Sequence, residues 1–410
     1  MSTLLSLDEN VLSLILRHLG SDVVALARLS ATCVRLRRHA STLLAAMRLL
    51  DVSSLGRRAS AALRSAGSRT GALHSLVCCD LIAVSDDDIA SVLRRNAATL
   101  SYLKLQGLRR VTSALGDGLR AASPLARLVA LDLRGCGGIR DDFLSAVLLR
   151  PDGLAGRNAA TLRRLDLSDT GVSDAGVGLL HLLPGLLHVS LDHTPRVDGV
   201  RFLTAGGSTA AEHRDATAAG VGDVGLTRWL APQRTPGGDA PLPLRSLSLQ
   251  HRRSVTPAVI AVLALRCTRL HALDVSHARM PGPELLQALC AASASFAPHL
   301  RVLRFAAPAG SARDDDVAEL ARVCVRLREL DLSLHDAITD AALASLATLP
   351  RLRSLTLVRN NVVTAAGMRA LLQERGDSMR CLRCVRCTRC GPTALTALAA
   401  DFPACAIEWE

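Results

Sequence analysis

The hydrophobic positions of this chain keep one short rhythm. In the stretch from Leu327 to Leu349, Leu327, Leu330 and Leu332 are spaced L-x-x-L-x-L. Ile338, Thr339 and Asp340 follow, and then Leu343, Leu346 and Leu349 recur at helical spacing. The apolar period changes from two to about three and a half within one segment, which predicts a strand, a turn and a helix. Such a unit is apolar on one side and cannot bury that side alone, so copies must stack.

The same three leading positions recur at Leu73/Leu76/Cys78, Leu100/Leu103/Leu105, Leu128/Leu131/Leu133, Leu162/Leu165/Leu167 and Leu186/Val189/Leu191. They resume at Leu244/Leu247/Leu249, Leu270/Leu273/Val275, Leu300/Leu303/Phe305, Leu327/Leu330/Leu332, Leu352/Leu355/Leu357 and Leu382/Val385/Cys387. Met47/Leu50/Val52 reads as a worn first copy. Several copies continue into Val/Ile-Ser/Thr-Asp, as at Val84-Ser85-Asp86, Val172-Ser173-Asp174 and Ile338-Thr339-Asp340. The pattern resembles the cysteine-containing leucine-rich repeats, whose buried Cys or Asn place is filled here by Cys136, Asn360 and Cys390. The resemblance runs from about Leu73 to the C-terminus. It implies an α/β fold: a leucine-rich-repeat solenoid, or horseshoe, with a parallel inner sheet and outer helices.

The first 40 residues keep a different period. Val11, Leu12, Ile15, Leu16 and Leu19 mark one helix face, and Asp8 and Glu9 suit that helix's first turn. Gly20 and Ser21 end it; Asp22 opens a second helix with Val23, Val24, Leu26 and Leu29; a third carries Cys33 and Leu36. This three-helix stretch resembles an F-box: Leu7, Val11, Leu12, Ile15, Leu16 and Leu19 sit on the first half of that family's pattern, and Asp22, Leu26, Cys33 and Leu36 on the second. Asp8, Asn10 and Leu36 stand where the family has proline, an acidic residue and tryptophan. An F-box directly ahead of such repeats is the layout of F-box/leucine-rich-repeat proteins. That resemblance implies a substrate receptor for a Skp–cullin–F-box ubiquitin ligase. Its contacts to a Skp-type adaptor, and through it to a cullin–RING ligase, would come from Leu7, Val11, Leu12, Ile15, Leu16, Leu19, Val24, Leu26, Cys33 and Leu36. A different class stays open: a repeat-built scaffold whose N-terminal helices only cap the stack.

The expected organisation is an F-box-like module over 1–40, a helical linker or cap over 41–72 with a break from Gly67 to Gly71, and the solenoid over 73–410. Residues 204–243 are rich in Gly, Ala, Thr and Pro and hold no copy; they read as a flexible insertion, pinned at Leu226, Trp229 and Leu230. The last residues, around Ile407 and Trp409, read as a closing strand.

Composition changes little of this. The net charge is +12, yet Lys104 is the only lysine, and only 2% of residues are aromatic. Basic clusters interleaved with aromatics are missing, so nucleic acid is not an expected partner. Without a basic leader or an apolar run of spanning length, the chain is expected to be soluble, in cytoplasm or nucleus, with its twelve cysteines as free thiols.

Candidate chemistry is sparse. Cys381, Cys384, Cys387 and Cys390 fall every third residue, a zinc-like spacing, but the repeat frame puts Cys384 outside and Cys387 inside, so no metal is expected. No nucleophile–base pair and no phosphate-binding glycine loop before a helix is present, so no cofactor and no catalysis are expected. The inner sheet face remains, as the surface for an unknown protein substrate. Its side chains include Tyr102, Asp132, Arg134, Arg164, Asp166, His188, Asp192, Asp274, Arg304, Glu329, Asp331 and Arg386. Asp132, Asp166, Asp274 and Asp331 read as one acidic column suited to a basic segment.

Overall fold

The computed structural model describes residues 44–121, 127–148, 161–194, 229, 241–251, 255–278, 282–291, 296–306 and 310–409. The F-box-like stretch lies outside the described residues. So does the expected insertion, except for residues 241–243 and for Trp229, which is helical and buried.

The chain divides into two compact units, ending and starting at Gly185 and Leu186. Unit 1 carries strands β1 (Leu49–Asp51), β2 (Ser75–Cys79), β3 (Tyr102–Gln106), β4 (Ala130–Asp132) and β5 (Arg164–Asp166). Its helices are α1 (Ala59–Arg69), α2 (Asp86–Asn96), α3 (Ala114–Ala121), α4 (Asp141–Leu148) and α5 (Asp174–Gly178). Unit 2 carries β6 (His188–Ser190), β7 (Ser246–Ser248), β8 (Ala272–Asp274), β9 (Val302–Arg304), β10 (Glu329–Asp331), β11 (Ser354–Thr356), β12 (Cys381–Arg383) and β13 (Ala406–Glu408). Its helices are α6 (Pro257–Arg266), α7 (Gly282–Ala291), α8 (Asp314–Val323), α9 (Asp340–Leu346), α10 (Ala365–Arg375) and α11 (Pro392–Asp401). Within each unit every strand pairs in parallel with the next in sequence.

The register is set by the second apolar position. Leu50, Leu76, Leu103, Leu131 and Leu165 align across unit 1. Val189, Leu247, Leu273, Leu303, Leu330, Leu355, Leu382 and Ile407 align across unit 2. All but Ile407 are at most 4% exposed. A one-residue slip would turn this row out to solvent, so the pattern specifies the pairing strongly. The third position, from Val52 to Cys384, is buried with it. Helix residues such as Leu93, Leu263, Leu320 and Leu343 close the core from the other side. Each full burial of such a side chain is worth about 1.5–3 kcal/mol.

The strand frame corrects three expectations. Residues 41–72, read as helix, contain strand β1, so Met47/Leu50/Val52 is a full copy paired to β2. Gly67 does not break α1; it lies inside that helix, where a Cβ would fall on Ser91. The last L-x-x-L-x-L begins three residues earlier than its spacing suggests. Leu382 aligns with Leu355 as the second position, so that copy is Met379/Leu382/Cys384. Cysteines recurring every third residue make both frames fit the pattern, and only the strand pairing separates them. Cys384 is therefore buried, with its Sγ 3.5 Å from Met368 Sδ, although the earlier frame put it outside. The closing strand forms as expected, with Ile407 opposite Leu382.

Candidate binding face of the repeats

Three features recur after the strands of both units, and together they decide which side chains reach the open face. The first is the place three residues past the third apolar position. There Cys136 Sγ donates to Leu105 O (2.7 Å), His335 Nε2 to Phe305 O (2.9 Å), Asn360 Nδ2 to Leu332 O (2.9 Å) and Cys387 Sγ to Leu357 O (3.0 Å). Each side chain satisfies a buried carbonyl of the preceding copy. Cys387 takes this place, not Cys390, whose Sγ instead donates to Val363 O. His335 is fully buried, and its Nδ1 accepts the Ala312 N–H at 3.0 Å. Burial holds its pKa below the ordinary value. Burial likewise pushes the Cys136 thiol up to about 11 and the Cys384 thiol up to about 12. These are thiols, not thiolates, and not poised for nucleophilic chemistry.

The second feature is a left-handed residue four past the second apolar position. Asp80, Gly107, Gly135, Asp169, His193, His251, His277, Leu334, Arg359 and Arg386 all have φ between 53° and 74°. Their amides extend the ladder beyond the strands, as in Gly107 N to Arg134 O (2.7 Å), His277 N to Ala306 O (2.7 Å) and Leu334 N to Val358 O (2.8 Å). In unit 2 three of them bring imidazoles into a stack: His193–His251 and His251–His277 have centroids 3.9 and 4.1 Å apart. Arg386, expected on the sheet face, belongs to this turn row; the strand-face residue of its copy is Arg383.

The third feature is what the acids do. Asp132, Asp166, Asp274 and Asp331 stand just after the second apolar position, on the open face. Each accepts the amide two residues on: Arg134 (3.1 Å), Ser168 (2.9 Å), Ser276 (3.0 Å) and Ser333 (2.9 Å). This local turn is a reason for aspartate that needs no ligand. Burial, outweighing the bonds from Ser168 and Ser276, raises the pKa of Asp166 and Asp274. The acids do not form one column. Asp132 and Asp166 are neighbours in unit 1, beside Lys104, which lies 3.9 Å from Asp132. In unit 2, Arg304 stands between Asp274 and Asp331 in the same register. Arg304 also pairs with Glu329 at 3.5 Å.

The other expected face residues fall where the alternation puts them. Tyr102, Arg164, His188 and Glu329 precede the second apolar position and point to the open side. Arg134 and Asp192 lie beyond the strand ends. Asp192 is held by its own and the neighbouring copy, accepting from Ser248 Oγ (2.5 Å), the Gln250 amide (2.8 Å) and Ser190 Oγ (3.0 Å). The face is thus mixed in charge. Among the described residues no group of three or more His, Cys, Asp or Glu is placed to hold a metal ion, and no helix is long and apolar enough to cross a membrane.

The family model described as "Leucine Rich repeat" matches residues 158–180 and 324–347. No curated protein matches the sequence. Among solved structures, this chain is similar to that of the Rad7 and Elc1 complex in yeast: 15% identity, TM-score 0.54, covering 96% of this chain and 91% of that one. An internalin, inlF, from Listeria monocytogenes aligns at 14% identity over 73% of this chain and 82% of that one, with a TM-score of 0.36. Strand register, buried ladder and family-model match agree that the chain is built of leucine-rich repeats and has the α/β solenoid fold of such proteins.

Proposed function

We propose that this protein is a substrate receptor of a Skp–cullin–F-box ubiquitin ligase. The reading rests on one juxtaposition: a stretch resembling an F-box, with Leu7, Val11, Leu12, Ile15, Leu16 and Leu19 on its first helix, stands directly ahead of leucine-rich repeats. Rad7, whose fold is similar over nearly its whole chain, was crystallised with a second protein, Elc1, which supports a partner-bound role. On this reading the N-terminal helices dock on a Skp-type adaptor, and the open sheet face holds the protein to be modified. The chain does no chemistry of its own. It raises the effective concentration of a substrate lysine near the ubiquitin-loaded enzyme, in cytoplasm or nucleus.

The test is direct. Purified full-length protein should retain a Skp-type adaptor at micromolar concentration. Ile15→Asp with Leu16→Asp should abolish that retention while the thermal transition of the repeats stays in place. Wild-type protein that retains no adaptor would leave a scaffold whose helices only cap the stack.

A further inference from the structure

In unit 2 the residue after the first apolar position is basic in six successive copies: Arg245, His271, Arg301, Arg328, Arg353 and Arg380. Their backbones are joined in series. Each amide donates to the carbonyl of the one before, at 2.8, 2.7, 2.7, 2.8 and 2.7 Å. The six side chains therefore start from adjacent strand ends, about 4.8 Å apart. The residue before the first apolar position adds Arg269, His299, Arg326 and Arg351 to the same edge. From Pro243 to Arg380 neither position holds an acid in any copy. All ten basic side chains are exposed except His271 and Arg328, which are half-buried. Among the described residues no carboxylate pairs with them; Arg326 Nη1 reaches only His299 Nδ1, at 3.4 Å. Burial first, and then the charge of Arg301, holds the His271 pKa below its ordinary range.

An arginine-rich composition does not account for this row. The equivalent positions of unit 1 read Arg48, His74, Ser101, Val129 and Arg163. A row of like charges at this spacing repels itself, and its potential is strongest along the row. The band is also narrow. On its inner side lie Glu329 and, one column further, Asp274 and Asp331.

We propose that this edge of unit 2 is a docking surface for a carboxylate-rich protein segment laid along the arginine row. Guanidinium forks match carboxylates in pairs. A helix with one acid per turn, rising about 5.4 Å each turn, stays nearly in step with the row. Nucleic acid fits less well. Neither column holds a Phe, Tyr or Trp ring for base stacking, and a wide polyanion would reach over Glu329 and Asp331. The surface needs no adaptor, so it would serve a scaffold as well as a ligase receptor.

Fluorescence anisotropy tests it with full-length protein and two labelled probes: poly-L-glutamate of about 20 residues and a single-stranded oligonucleotide of equal charge, at about 50 and 200 mM salt. The peptide should bind at low salt, weaken as salt rises, and bind at least as well as the oligonucleotide. The triple variant R301E/R328E/R353E should lose about tenfold or more of the peptide affinity. R109E/R110E, exposed in unit 1, should not. Should the triple reversal melt early, R301Q/R328Q/R353Q replaces it, with a smaller loss expected in the same direction. No peptide binding at low salt, unchanged binding by the triple variant, or a tenfold preference for the oligonucleotide would each overturn the proposal.

Discussion

His335 shows how much one buried side chain is asked to do. It donates to Phe305 O and accepts from Ala312 N–H, so both ring nitrogens are used and the ring must be neutral. Protonating Nδ1 would break the second bond and place a charge in the core. The folded-state pKa lies below the ordinary 6.5. The unfolded chain therefore takes up the proton first as pH falls. The stability this ring contributes is fully present above about pH 6.5 and is lost progressively below it. We expect the melting temperature of wild type to drop between about pH 7 and 5 more steeply than that of His335→Asn. Asparagine already fills the same place at Asn360, so this variant should fold. Parallel curves would show that His335 does not titrate on unfolding. His335→Ala, which leaves both backbone partners buried and unpaired, should cost about 2–4 kcal/mol at neutral pH.

At the scale of elements, the aspartates that open four of the helices fasten those helix starts to the Ser or Thr of the following copy. Asp340 opens α9, yet its carboxylate accepts the Thr364 amide (2.8 Å) and hydroxyl (2.6 Å) of the following copy. Thr364 Oγ1 in turn accepts from Gly367 N in α10 (3.3 Å). Asp314 does the same to Thr339 and Asp86 to Thr112, and Asp141 bonds both the amide and hydroxyl of Ser173. Glycine at 367 follows from this: a Cβ there would fall on the Asp340 carboxylate. Asp340→Ala removes two bonds and half-frees a cap. It should destabilise unit 2 by about 1–2 kcal/mol, read as a lower denaturant midpoint with unchanged slope. A shift no larger than that of an exposed control substitution would mean that the ladder contributes nothing net.

At the scale of the molecule, the charge of the open face does not follow the consensus letter. The four aspartates look like one patch in the sequence, but each is engaged by the backbone two residues on, and Arg304 interrupts the two in unit 2. Asparagine can accept the same amides. Asp132→Asn, Asp166→Asn, Asp274→Asn and Asp331→Asn together should leave the melting temperature within about 2 °C of wild type, since Asp166 and Asp274 carry raised pKa values that disfavour their charge. Capture of a basic partner should change little. A large loss of such capture would restore the aspartates as a recognition surface.

The spacing of Leu, Val and Ile was enough to determine the repeat, its parallel strands and most of its register, because a period of two beside a period of 3.6 leaves one arrangement that buries both apolar sides. Cys136 and Asn360 were legible for the same reason: their distance from the third apolar position is fixed. The last copy was not. Its cysteines satisfied two frames, and only the pairing of Leu382 with Leu355 chose between them, moving Cys384 inward and Arg386 into the turn. The arginine edge was written in the sequence as a basic residue beside each first leucine. It gained meaning only when the strand ladder set copies some 25–30 residues apart in sequence side by side. Which charges neighbour one another in a stacked-repeat protein is a property of register, and register is settled by packing across copies.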